Sequence, residues 1–133
     1  MKLGLIHRSA ATPNSDTLAW VGDAALHIVI TEQLAAVYGC LAPGEMTVLR
    51  SSLESREKFR ECALEIGLDK LIVIGKSILV SNAKATDSML AESFEAVLGA
   101  VYIDGGIEAV RKAYCSNFPL RDDVYKRKRH LEL

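Results

Sequence analysis

Apolar positions recur along the chain at helical rather than strand spacing. The clearest run starts at Leu18 and continues through Val21, Ala25, Ile28, Val29 and Leu34, covering almost every side of a helix. It is expected to run from about Asn14 or Ser15, either a good N-cap, to about Tyr38, with Gly39 as its stop. A helix apolar all round belongs at the centre of a domain. Pro43-Gly44-Glu45 reopens the chain as a helix start, and Met46, Leu49, Leu53, Phe59 and Ala63 keep the rhythm. That rhythm is interrupted near Ser55 and ends at Gly67. A further helix is predicted from Ser88 to about Ile103, stopped by Asp104-Gly105-Gly106, and another over Ile107 to Asn117.

The remaining stretches are weaker. Lys2 to Ser9 reads as one or two helical turns before a loop around Pro13. Leu71 to Ile74 is strand-like in composition but too short and isolated for a sheet, so it reads as a short helical turn or extended connector. Gly75 to Ala85 reads as a loop. The fold class is therefore all-α, with one domain over residues 1–118 and a basic C-terminal tail over 119–133. The run Lys126-Arg127-Lys128-Arg129-His130 reads as a solvated end rather than an RNA contact.

Half of the residues are hydrophobic and only 6% aromatic, so aliphatic side chains must fill the core. A formal charge of −1 gives no global basic field, yet carboxylates that hold Mg²⁺ look acidic until the ion arrives. The three cysteines, Cys40, Cys62 and Cys115, fit neither a zinc pattern nor a disulfide framework. A reducing intracellular compartment, cytoplasm or organelle, is expected, with no membrane span or signal peptide.

The chemistry sits on the two most apolar helices. Asp16, Asp23, His27 and Thr31 are spaced by 7, 4 and 4 residues, which places them on one stripe. Glu92 and Glu95, three apart, share a face of the second helix. Gly22 beside Asp23 and Gly99 beyond Glu95 suggest a close crossing that gathers Asp23, Glu92 and Glu95. Acids brought together in a core must be neutralised. Two readings stand: a divalent ion held by hard oxygen ligands, Mg²⁺ or Mn²⁺, or ordinary pairing with Lys, Arg and the helix dipole.

The stretch Leu18-Ala19-Trp20-Val21-Gly22-Asp23-Ala24-Ala25-Leu26 resembles the signature helix of ribonuclease III. Asp87 to Gly106 resembles the family's second acidic motif, and His7-Arg8-Ser9, Leu49 to Leu53, Ala63 to Leu68 and Gly75-Lys76 are similar to other parts of that domain. The resemblance covers about residues 3 to 115. It implies an all-helical endonuclease domain, acting as a homodimer on double-stranded or structured RNA with Mg²⁺ and leaving a 5′-phosphate and a 3′-hydroxyl. Precursor ribosomal RNA would be one such substrate. Asp23 and Glu95 stand where the essential metal ligands stand, Glu92 where an aspartate is usual, and Asp16 where the first glutamate of the signature is usual. Trp20 matches an aromatic that plugs a pocket of the partner subunit; without the resemblance it reads equally as a core residue.

Ala19 stands where classical members carry a metal-holding glutamate, although the compact branch often called Mini-III also has Leu-Ala before its Gly-Asp. Arg56 replaces an asparagine, and Val80-Ser81-Asn82 a glycine-rich loop, while Lys84 keeps a basic residue for a phosphate. The expected form is single-domain, without the double-stranded-RNA-binding domain of classical members; family domains usually carry more residues before the His-Arg-Ser motif, so either a segment has been trimmed or the first helix is shortened. The competing expectation is a catalytically silent family member, a structural or RNA-binding subunit that forms a heterodimer with another member or joins a ribosomal particle.

Overall fold

The computed structural model describes residues 15–71 and 86–120. The predicted turns at Lys2 to Ser9, the loop from Gly75 to Ala85, Lys84, Val80-Ser81-Asn82 and the basic tail lie outside the described residues. Within them the secondary structure is helical: α1 (Asp16–Tyr38), α2 (Pro43–Leu53), α3 (Arg56–Glu65), a 3₁₀ turn (Leu68–Lys70) and α4 (Asp87–Asn117). α1 and α4 form the central pair, with α2 packed on α1 and α3 on α4.

Each boundary has a local cause. Pro43 occupies the first position of α2, where its missing N–H costs nothing. The break expected near Ser55 lies there: Glu54 closes α2, and the Ser55 hydroxyl accepts the Lys58 N–H at 3.1 Å to open α3. Thr86 opens α4 likewise, accepting the Met89 N–H at 3.2 Å. Gly67 takes the left-handed conformation (φ 78°) before the 3₁₀ turn, which falls just ahead of the apolar run at Leu71.

Two capping expectations change, and one break falls where it was predicted. Gly39 does end α1 but stays right-handed, so it acts without the left-handed cap. Ser15 sits at the N-cap of α1 with no side-chain cap bond. The two helices predicted on either side of Asp104-Gly105-Gly106 are found there: the non-helical backbone of Gly106 (φ 73°, ψ −170°) divides α4 at that place and turns the chain within a single residue.

The core is aliphatic along α1, where Leu26, Val29, Ile30 and Leu34 are closed to water. Full burial of each such side chain contributes about 1.5–3 kcal/mol. Phe94 is its aromatic centre, with ring centroids 5.4 Å from Phe59 and 5.5 Å from Phe118. α1 is not surrounded on all sides, however. Trp20 is 78% exposed, and Ile28 and Val37 are also exposed, so one apolar edge of the central helix faces outward. That excludes the reading of Trp20 as a core residue of its own chain.

Candidate functional site

The approach of α1 to α4 is set by the absence of two side chains. A Cβ added at Gly22 would fall 1.7 Å from the Glu95 carbonyl oxygen, and one at Gly99 would fall 1.8 Å from the Leu18 carbonyl oxygen. Neither helix backbone can come so near another with any residue but glycine at the contact. Asp23 follows Gly22 directly, so the crossing fixes its carboxylate beside that of Glu95. The two carboxyl groups share a hydrogen bond.

The consequence is electrostatic. Glu95 is half-buried, and its carboxyl is pushed up to about 8 by burial first, and then by the charge and hydrogen bond of Asp23 and the charges of Glu92 and Glu54. Glu95 therefore keeps its proton near neutral pH. By contrast, the buried Cys62 thiol is pushed up to about 11 by burial and belongs to the inert core.

The structure thus brings together Asp23, Glu92 and Glu95. It does not bury them as the sequence pattern suggested: Asp23 is exposed and Glu92 only half-buried, because the stripe that carries Asp23 lies at the rim of the α1–α4 seam. Asp16, also exposed in the first turn of α1, is not among the groups that act on Glu95. Ala19, one turn before Asp23, leaves a methyl on that side of the cluster.

Glu54 is the member that sequence reading missed. It follows the buried Leu53 at the end of α2, and no periodicity or motif marks it. Its Oε1 lies 2.8 Å from Nδ1 of His27, which is one turn beyond Asp23 on α1. The next residue of that stripe, Thr31, accepts a hydrogen bond from Arg50 of α2 at 3.2 Å.

Hard carboxylate oxygens held together against their own repulsion are the donor set that a divalent cation prefers. No three His, Cys, Asp or Glu side chains among the described residues converge as a closed metal cage. Asp23 is exposed and Glu92 half-buried, so the carboxylates lie at an open rim. The donors fit such an ion in kind.

Comparison with known proteins agrees with this arrangement. A model of the ribonuclease-III-like family matches residues 1–119. Ribonuclease 3 of Nitrosococcus oceani is 36% identical over 116 residues, covering 87% of this chain and 50% of its own. Ribonuclease 3 of Dechloromonas aromatica is also 36% identical, over 124 residues, covering 92% of this chain and 56% of its own. The chain therefore spans about half the length of the curated relatives it matches. A solved nuclease domain of ribonuclease III from Campylobacter jejuni superposes with a TM-score of 0.81 at 27% identity, covering 90% of this chain and 87% of that one. That structure was described for flexibility in the region involved in its dimer formation. A family match along nearly the whole domain, the same helical fold, and two acidic motifs joined at a glycine crossing lead to one assignment: this chain belongs to the ribonuclease-III-like family.

Proposed function

We propose that this chain is a divalent-metal-dependent endoribonuclease domain that cuts double-stranded or structured RNA. The observation that carries the reading is the Gly22–Gly99 crossing, which holds Asp23 against Glu95 at the cost of strong mutual repulsion. Asp23, Glu95 and Glu92 would hold the ion, Mg²⁺ with Mn²⁺ as substitute. When bound, the ion supplies neutralisation of phosphate charge and acidification of water, leaving a 5′-phosphate and a 3′-hydroxyl on the cut strand. The protein's part is to present these carboxylates on a rigid crossing at an open rim, where a backbone phosphate can reach them. Recognition by A-form shape and backbone suits such a rim. Precursor ribosomal RNA is one substrate of that class.

The functional unit is proposed to be a homodimer. Trp20, Ile28, Tyr102 and Ile103 are all exposed, and the groove of about 370 Å³ lined by Trp20, Ala24, Tyr102 and Ile107 makes a concave apolar face. A large ring left in water beside such a groove fits a partner copy. Among the described residues, no helix is long and apolar enough to cross a membrane.

The test is cleavage of a long double-stranded RNA by purified protein in Mg²⁺, beside Asp23→Asn and an EDTA control. Asn keeps the volume of Asp but not its charge. Cutting by wild type alone, ending in 5′-phosphates, is expected. A folded dimer that leaves the RNA intact would overturn the enzymatic reading in favour of a silent subunit.

A further inference from the structure

The stripe of α1 that carries Asp23 does not end at the acidic cluster. His27 and Thr31 continue it, and Thr31 lies about 12 Å further along the helix axis than Asp23. There α2 meets the stripe. Nη1 of Arg50 donates to the Thr31 hydroxyl at 3.2 Å, and that hydroxyl donates in turn to the His27 carbonyl oxygen at 2.6 Å. These two bonds hold the guanidinium against α1 at a set place on the face that carries Asp23. Among the described residues no carboxylate is paired with Arg50, whereas Arg60 and Arg111 each have one. Thr31 occupies one edge of a fork that presents several N–H donors, so the fork has donors to give. Arg50 is half-buried, and with Thr31, Leu41, Met46 and Thr47 it lines an open groove of about 270 Å³. A guanidinium held in direction but not paired in charge is suited to receive a phosphate.

We propose that Arg50 is an anchor for the RNA backbone, binding a phosphate about 12 Å along α1 from Asp23, a span of a few nucleotides. The proposal rests on the reading of this chain as one that takes structured RNA. Thr31 is a positioning residue, since it directs the guanidinium without touching RNA. An acidic cluster by itself repels a polyanion, and a fixed cation further along the same face offsets that repulsion. The contact carries no sequence information; it sets the register of the duplex on the protein.

The experiment is fluorescence anisotropy of a labelled double-stranded RNA titrated with the full chain in EDTA, over a series of KCl concentrations. Thermal melts of each variant run beside it. Arg50→Gln is expected to weaken binding about tenfold, and to make log affinity against log salt shallower by about 1. Arg50→Lys should keep the wild-type slope, because it keeps the charge. Thr31→Val keeps the shape but loses the acceptor, and is expected to weaken binding about threefold at an unchanged slope. Arg111→Gln removes the same charge where Glu32 and Glu108 already hold it, and should leave affinity and slope at wild type. Wild-type affinity and slope in a folded Arg50→Gln would overturn the proposal. An equal change in Arg111→Gln would overturn it too, since net charge rather than a site would then explain both. If the wild type binds RNA through Arg50 but leaves it uncut in Mg²⁺, the nuclease reading falls and the anchor stands. If it binds no RNA, both fall. Should Arg50→Gln fail to fold, Thr31→Val decides alone: weaker binding at the wild-type slope supports the anchor, and wild-type binding overturns it.

Discussion

Glu95 ties the acidic site to the stability of the fold through a single proton. Its carboxyl is raised from the usual carboxylate range to about 8, so between about pH 4.5 and 8 the folded chain keeps a proton that the unfolded chain has released. The folded state then binds more protons than the unfolded one, and stability falls as pH rises through that window. In EDTA, Glu95→Gln is expected to melt with wild type at pH 5 and above it at pH 9, because glutamine mimics the protonated acid. Saturating Mn²⁺ should reverse the order at pH 8, since a cation binds the ionised carboxylate. Thermal melts across pH, with and without the ion, check both statements. Gly22 is the other decisive residue. Gly22→Ala puts a methyl 1.7 Å from a backbone oxygen that cannot move aside as a side-chain end would. The helices must part, and a loss of about 3 kcal/mol or more is expected. Urea denaturation gives the size of the loss, and Mn²⁺ binding should fall with it.

At the scale of elements, the helices owe their limits to short-range chemistry, and each limit can be tested separately. Gly106 holds φ 73° with an extended ψ, a region closed to side-chain-bearing residues, while space around its Cβ position is open. Gly106→Ala therefore carries only the backbone cost, about 1–3 kcal/mol, with no steric term. Its urea midpoint should drop while Mn²⁺ binding persists, because the kink lies past the acidic motif. Ser55→Ala removes the acceptor for the Lys58 N–H and is expected to lose about 1 kcal/mol. Beyond the kink, Arg111 donates to Glu32 at 2.9 Å and also to Glu108, which ties the far half of α4 to α1. This contact lies at the surface and is expected to steer packing more than to stabilise it.

For the whole molecule, the outward apolar edge of α1 is the face on which the proposed homodimer would form. Trp20 is 78% exposed, so Trp20→Ala removes almost no burial from its own chain. The proposed homodimer should dissociate in Trp20→Ala, with the helical content of each chain retained. Light scattering after size-exclusion chromatography, beside circular dichroism, separates that result from unfolding. A monomeric wild type would turn the same face toward a different family partner.

The helices, their starts at Pro43 and Ser55, the stop at Gly67 and the bend at Gly106 were legible in the chain itself. Propensity, capping and glycine conformation act over a few residues, so neighbouring letters carry them. The crossing was legible too, since a glycine beside an acid on two apolar helices has few other uses. Burial was not legible. A stripe that is apolar all round cannot say which edge meets its own chain and which meets water, and so Trp20 and Asp23 lie farther out than their neighbours suggest. Glu54 escaped notice for the same reason. It comes beside His27, one turn beyond Asp23, only because α2 packs across α1. Sequence alone determined the elements and the residue types that carry the chemistry. Only tertiary structure decided which acids act on one another, because a carboxylate's state depends on charges and burial contributed by distant parts of the chain.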